Sequence, residues 1–122
     1  DFELIIENAS RFGLANITPV LGQAPEAWSD LPAPDAIFIG GTGRQLTTIV
    51  RDAMAQLKPG GRLVADMASI DNLHNVQEVL RQETGDVNIL MVNIARGNYQ
   101  LDRLLFDAMT PKFVLSAIKK QS

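Results

Sequence analysis

The stretch Asp35-Ala36-Ile37-Phe38-Ile39-Gly40-Gly41-Thr42-Gly43-Arg44 decides the fold. Its three consecutive bulky apolar residues, 37–39, follow the acidic residue Asp35 and precede a glycine turn. This pattern is typical of a strand buried on both faces of a parallel sheet. The glycines allow a sharp turn and the close approach of a ligand, because they carry no Cβ. The stretch therefore predicts a buried strand that ends in a ligand-accessible turn.

A helical pattern follows this turn. Apolar residues recur at i, i+3, i+4, i+7, i+8 and i+11, which is one face of an amphipathic helix; they are Leu46, Ile49, Val50, Ala53, Met54 and Leu57. Strand, glycine turn and helix thus follow one another directly. In open α/β sheets such a turn lies at the carboxyl end of the strand, where ligands bind.

Other elements are predicted from similar patterns. We expect an N-terminal helix over 2–12 and a third helix that Ser69 or Asp71 caps and Gly85 ends. Short strands are expected at 16–21, 63–68 and 113–118, and a long strand at 87–95, whereas 99–109 has no assignment. The alternation indicates an α/β fold with a largely parallel sheet. The last two strands lack a helix between them, so they are expected to pair antiparallel.

Composition excludes several classes of function. The 122 residues suffice for one domain at most, the net charge is −3, and no basic run forms a nucleic-acid surface. Cysteine is absent, and one histidine, His74, with scattered acids makes neither a metal site nor a Ser-His-Asp triad. No apolar run approaches the roughly 18 residues of a membrane helix, and no signal peptide opens the chain, so we expect a cytoplasmic protein.

Four segments, in this order and spacing, carry a resemblance to a known family. They are Gly22-Gln23-Ala24-Pro25-Glu26, Ala36-Ile37-Phe38-Ile39-Gly40-Gly41-Thr42-Gly43, Leu57-Lys58-Pro59-Gly60-Gly61-Arg62-Leu63-Val64 and Val92-Asn93-Ile94-Ala95-Arg96-Gly97. Together they resemble the decarboxylating precorrin C15-methyltransferases of cobalamin biosynthesis, either freestanding or as the C-terminal half of a fused precorrin-6Y C5,15-methyltransferase.

The resemblance implies the Rossmann-like sheet of class I S-adenosylmethionine-dependent methyltransferases, mostly parallel with an antiparallel C-terminal strand pair. Family strands are ordered 3-2-1-4-5-7-6 in the sheet, and this chain lacks counterparts of family strands 1 and 2. We therefore expect residues 1–122 to be the C-terminal portion of a single methyltransferase domain. The edge of strand 37–39 would then be uncovered, unless strand 16–21 moves against it or another chain covers it.

Site residues follow from the same resemblance. S-adenosylmethionine is the implied cofactor, and its expected contacts are Gly22, Gln23, Ala24, Gly40, Gly41 and Thr42. A tetrapyrrole rich in carboxylate arms is the implied substrate, and its expected contacts are Arg44, Asn93, Arg96 and Arg103. Each has a plainer interpretation: a tight turn for the glycines, a solvated amide for Gln23 and a surface ion pair for Arg96.

The implied reaction is attack of an electron-rich macrocycle carbon on the sulfonium methyl group, coupled to loss of carbon dioxide from an acetate arm. The enzyme would contribute proximity and alignment, and no catalytic acid or base is assigned. Gln23 stands where the family usually has an acid, and Asp66 where many relatives have Asn. Asp66 is interpreted either as a ligand contact or as a buried, capped carboxylate.

Two alternatives remain open from the sequence. The chain is either part of a class I methyltransferase for another small molecule, or a non-catalytic assembly module. We also expect a homo-oligomer, with no nucleic acid or membrane as partner.

Overall fold

The computed structural model describes residues 1–40 and 45–121. These residues form two compact units, Asp1–Pro32 and Ala33–Ser122, which are described separately. The first unit contains helix α1, Phe2–Arg11, and a single 3-10 turn, Glu26–Trp28. Helix α1 was predicted from the sequence, and Gly13 follows it with a φ of 65°, a backbone conformation that glycine adopts freely.

The predicted strand at 16–21 is wrong, because the first unit has no regular structure there. A strand is stable only when a neighbouring strand satisfies its backbone groups. No ladder in the described chain includes this segment. Of the two ways given for covering the edge of 37–39, pairing with segment 16–21 is therefore not observed.

The second unit carries the sheet. Its elements, in chain order, are strand β1 (Ala36–Ile39), helix α2 (Leu46–Gln56), β2 (Arg62–Met67), helix α3 (Ile70–Glu83), β3 (Val87–Val92), β4 (Ala95–Gln100), β5 (Arg103–Ala108) and β6 (Lys112–Ile118).

Four strands form one sheet, in the order β1-β2-β6-β3. β1 and β2 are parallel, whereas β6 runs antiparallel to both β2 and β3. β1, β2 and β3 thus share one direction and β6 alone opposes it. This confirms the expected class I arrangement with its antiparallel C-terminal pair, and β1 is an edge strand, as expected without counterparts of the first two family strands.

The core lies between this sheet and the helix pair α2 and α3. All six apolar residues of the predicted α2 face, including Leu57 just past its end, are buried. They meet a sheet face formed by alternate strand residues, Ile39, Leu63, Ala65, Met67, Leu115 and Ala117, all buried. Ser69 caps α3, since its hydroxyl accepts a hydrogen bond from the Asn72 backbone N–H at 3.3 Å.

The expected burial of strand 37–39 on both faces is wrong. The Phe38 side chain is 69% exposed, while Ile39 next to it is 4% exposed. α2 and α3 cover only one face of the sheet, and Phe38 points to the other. Within the described chain, the three-residue apolar run therefore marks a strand with one covered face.

The predicted long strand 87–95 is two strands. β3 ends at Val92, and after Asn93 and Ile94 the chain starts a separate hairpin, β4–β5. The Met109 backbone N–H donates to the Ile94 carbonyl at 2.9 Å and closes the base of this hairpin. Residues 99–109, left unassigned by the sequence, form most of it.

Candidate functional site

The parallel strands bring three candidate positions to one edge of the sheet. Gly40 follows the carboxyl end of β1, Asp66 lies one residue before the end of β2, and Asn93 follows the end of β3. The carboxyl edge of such a sheet is where ligands bind in doubly wound folds. β1 and β3 are three strand spacings apart, so Gly40 and Asn93 lie about 14 Å from each other along this edge.

Among the described residues, apart from its chain neighbours, Asp66 and Phe38 come nearest to the side-chain position of Gly40. A Cβ placed on Gly40 would lie 3.2 Å from Oδ1 of Asp66 and 3.2 Å from Cε1 of the Phe38 ring. The carboxylate and the ring edge therefore flank the same backbone position. A side chain at 40 would fill the space between them, which fits a position that a ligand approaches.

Three of the expected contacts, Gly41, Thr42 and Arg44, lie outside the described residues, as does Gly43. Their roles toward cofactor and substrate stay predictions from the sequence.

Gly22, Gln23 and Ala24 belong to the first unit, where the turn itself accounts for the glycine. Gly22 has a φ of 151°, and a Cβ there would lie 2.9 Å from the Ala27 Cβ. The Ala27 backbone N–H donates to the Gln23 carbonyl at 2.9 Å. This turn therefore requires glycine with or without a cofactor, while the side chain of Gln23 is exposed and available for contact.

Arg96 and Arg103 lie on the hairpin, and both are exposed. Cross-strand pairing places Arg96 opposite Asp107, Asn98 opposite Leu105 and Gln100 opposite Arg103, so these six residues share one face, called here the polar face. The Asn98 side-chain amide donates to Oδ2 of Asp107 at 3.3 Å. No ion pair is recorded for either arginine within the described chain, so both guanidinium groups are available to an anionic ligand.

The sequence left two residues of this site unassigned. Asp66 was open between ligand contact and capped carboxylate, and Phe38 was interpreted as core. The structure shows Asp66 partly buried and Phe38 exposed beside the same glycine. The strand register brings them together, since Phe38, Gly40, Val64 and Asp66 alternate along two adjacent parallel strands and share one face. No local sequence signal could have found this register. His74 is exposed on α3.

The described residues lack two further kinds of feature. No helix in ranges 1–40 and 45–121 is long and apolar enough to cross a membrane. Within the same ranges, no three His, Asp or Glu side chains converge in a way that could hold a metal ion.

Comparison with known proteins places this geometry in a class. The fold is that of the class I S-adenosylmethionine-dependent methyltransferases. Residues 2–105 match the precorrin methyltransferase domain, and the chain belongs to that family.

Three relatives show the extent of the likeness. The chain is 41% identical over 97 residues to a probable cobalt-precorrin-6B C(15)-methyltransferase (decarboxylating) of Methanothermobacter thermautotrophicus, covering 79% of this chain and 50% of that protein. The crystal structure of precorrin-6Y C5,15-methyltransferase from Geobacter metallireducens superposes with a TM-score of 0.84 and 32% identity, covering 96% of this chain and 62% of that one. Precorrin 8W decarboxylase of Methanobacterium thermoautotrophicum gives a TM-score of 0.83 at 32% identity, covering 95% and 63%. The chain thus spans about half the length of the curated relatives it matches.

Proposed function

We propose that this chain is the C-terminal portion of a methyltransferase domain that transfers a methyl group from S-adenosylmethionine to C15 of a precorrin, with decarboxylation of an acetate side chain, in cobalamin biosynthesis. The observation that carries the proposal is the match of residues 2–105 to the precorrin methyltransferase domain. The names of the relatives support the substrate, and the position of Gly40 at the carboxyl edge supports the location of the site.

The proposed cofactor, when bound, supplies an electrophilic methyl group. The chain offers it a position without a side chain at Gly40 and an exposed amide at Gln23, which can donate and accept hydrogen bonds as an adenine edge requires. With Gly22, Ala24, Gly41 and Thr42, these residues are the proposed cofactor contacts.

The proposed substrate carries acetate and propionate arms, which need cationic partners. Arg96 and Arg103 present exposed guanidinium groups on the polar face of the hairpin, and a guanidinium binds a carboxylate through two parallel hydrogen bonds. Asn93 lies at the sheet edge between this hairpin and β3. Together with Arg44, these residues would hold a large anionic ligand in one orientation, so that alignment lowers the barrier to methyl transfer.

The domain assignment is part of the proposal. β1 is paired only with β2, so its outer backbone groups have no strand partner in the described chain. Native sheets cover or pair such edges, which supports further strands beyond β1 in the complete domain.

A homo-oligomer and a cytoplasmic location are also proposed. Support for the oligomer comes from the second face of the hairpin, called here the apolar face, formed by Ala95, Gly97, Tyr99, Leu104, Phe106 and Ala108. Tyr99 is 76% and Phe106 68% exposed. A lone hairpin is only marginally stable in water. A second copy of the chain that packs on the apolar face would bury Tyr99 and Phe106 and so stabilise the hairpin.

The test compares two proteins: the chain 1–122 and an extended chain, in which the residues that precede the matched region in the Methanothermobacter relative are fused ahead of Asp1. Calorimetry with S-adenosylhomocysteine should detect binding by the extended chain and weaker or no binding by residues 1–122. The extended chain should then convert a precorrin to a product that mass spectrometry shows to have gained a methyl group and lost carbon dioxide.

The outcomes separate the alternatives. Binding of S-adenosylhomocysteine without turnover of precorrin would indicate a methyltransferase for another small molecule. A well-folded extended chain that binds no S-adenosylhomocysteine would indicate a non-catalytic module and contradict the proposal.

A further inference from the structure

The pair of parallel strands β1 and β2 places a carboxylate and an aromatic ring on either side of one glycine. Phe38 pairs with Val64, and Ile39 with Ala65, so the next position along, Gly40, comes level with Asp66. From a Cβ placed on Gly40, Asp66 Oδ1 and Phe38 Cε1 would each be 3.2 Å away, and Phe38 Cζ 3.9 Å. These three residues, Phe38, Gly40 and Asp66, are called here the β1–β2 cluster.

The cluster faces away from the helices. The residues on the opposite face of the same strands, Ile39, Ala65 and Met67, are 4%, 0% and 4% exposed against α2 and α3. Phe38 is 69% exposed and Asp66 is only partly buried. Within the described part of the second unit, a ring and a carboxylate therefore border the sheet face away from α2 and α3, at the carboxyl end of the strands.

Within the described residues, the Asp66 carboxylate accepts no side-chain hydrogen bond and forms no ion pair. The group is nevertheless partly withdrawn from water. A carboxylate in that position is stabilised by a hydrogen-bond donor, and the donor is stronger when it carries charge. The adjacent ring offers an apolar surface for a flat molecule.

We infer that Asp66 binds the ligand of the proposed methyltransferase site, by accepting a hydrogen bond from an N–H or ammonium donor while the Phe38 ring contacts the adjoining apolar part of the ligand. The inference rests on the proposed function. It adds one ligand contact, at Asp66, to the contacts that the arginines are proposed to make with the carboxylate arms. The Asp66 carboxylate repels those arms. Only a part of the ligand that carries an N–H donor can therefore enter the β1–β2 cluster, which fixes the orientation of the ligand.

Two ligands carry such donors. S-adenosylmethionine has an adenine amine and an α-ammonium group, and a tetrapyrrole has pyrrole N–H groups. Separate titrations distinguish them, with S-adenosylhomocysteine as one probe and uroporphyrin, a stable tetrapyrrole with acetate and propionate arms, as the other. Each is titrated into both the chain 1–122 and the extended chain.

The variants are Asp66→Ala, Asp66→Asn and Phe38→Ala. The matched control is Asp52→Ala, which removes a carboxylate from helix α2 that is half-buried, like Asp66. Asp66→Ala should lower the affinity for one of the two probes about tenfold or more, which is the loss expected for a hydrogen bond to a charged group. The affinity of Asp66→Asn for that probe should lie between those of Asp66→Ala and of the protein without substitutions. Asp52→Ala should change the affinity for neither probe. Circular dichroism checks that each variant is folded.

Each outcome has one reading. Weaker binding of S-adenosylhomocysteine alone assigns Asp66 to the cofactor, and weaker binding of uroporphyrin alone assigns it to the substrate. Suppose that the extended chain without substitutions binds a probe, and that folded Asp66→Ala binds each probe with the same affinity as that chain. The inference is then overturned and the proposed function stands. If the extended chain without substitutions binds neither probe, the proposed function fails and the inference fails with it.

Discussion

Thr84 donates a hydrogen bond from its hydroxyl to the carbonyl oxygen of Ile118 at 2.6 Å, and so joins the end of helix α3 to the end of strand β6. Thr84 is 9% exposed and is the one polar residue among the buried residues of the described chain. The bond links residues 34 positions apart in sequence. It holds α3 against the sheet at the edge opposite the candidate site.

Replacing Thr84 by Val should destabilise the fold, because Val has a similar shape but leaves the Ile118 carbonyl without this donor. The expected loss is about 1–2 kcal/mol in the free energy of unfolding, measured by urea denaturation. Thr84→Ser keeps the hydroxyl and should lose less. A Thr84→Val protein as stable as the original would contradict the role given to this bond.

Lys119 closes the C-terminus of helix α2. Its Nζ donates to the carbonyl oxygens of Ala55 at 3.0 Å and Leu57 at 2.8 Å, which would otherwise be free acceptors at the helix end. Lys119→Met should lower the free energy of unfolding by about 1 kcal/mol, a value reduced for the partial exposure of the amine. Lys120→Met is the control, since Lys120 is exposed and should tolerate the change. Equal effects of the two substitutions would argue against a specific helix-capping role.

Gly61 has no room for a side chain. A Cβ there would lie 2.8 Å from the Lys58 carbonyl oxygen, 2.9 Å from the Asp35 carbonyl oxygen and 2.9 Å from Leu57 Cδ2. Two of these three atoms are backbone and cannot move alone, so Gly61→Ala should cost about 1–3 kcal/mol of stability.

Gly85 provides the contrast for Gly61. A Cβ at Gly85 would meet no atom within 4 Å, although its φ of 72° is unfavourable for other residues. Gly85→Ala should therefore cost about 1 kcal/mol through backbone strain alone. Thermal denaturation of the two variants checks the order, and a Gly61→Ala protein more stable than Gly85→Ala would refute the steric argument.

The two faces of the hairpin make the oligomer proposal testable. Phe106 lies on the apolar face and Leu105, its neighbour, lies on the polar face with Arg96 and Asp107. Phe106→Ser should shift the protein toward lower mass in light scattering, because it removes apolar area from the proposed contact. Leu105→Ser removes a similar apolar group from the other face and should leave the mass unchanged. A monomer before any substitution would exclude the proposed oligomer.

The helices and the main strands could be predicted because each has a strong local signal. The six-residue apolar pattern of α2 is buried throughout, and strand 113–118 matches β6 within one residue. The antiparallel pairing of β3 and β6 followed from the lack of a helix between them. For α2, the side-chain period alone fixes the element and its buried face.

Other features could not be predicted because they depend on neighbours. The apolar run at 37–39 has the same composition whether one or both faces are covered, so the exposure of Phe38 was invisible in the sequence. Segment 16–21 has strand-forming residues and no ladder partner. The break between β3 and β4 falls at Asn93 and Ile94, without a proline or glycine to mark it.

The candidate site was accessible to sequence reasoning only in part. The glycine turn and the resemblance indicated Gly40 and the arginines. The relationship of Asp66 to Phe38 and Gly40 depends on the register of two strands 26 residues apart, as the pairing of Ala36 with Arg62 shows. No local pattern encodes that register, because an alternating strand pairs equally well two residues further along.

The central claim is that the carboxyl edge of the sheet at Gly40 borders the S-adenosylmethionine site. The most direct test is titration of the ¹⁵N-labelled extended chain with S-adenosylhomocysteine, followed by amide chemical shifts. We predict the largest changes at residues 22–24 and 40–42, with little change at Gly60 and Ile118 on the opposite edge. Changes confined to that opposite edge, or none at saturating ligand, would contradict the account.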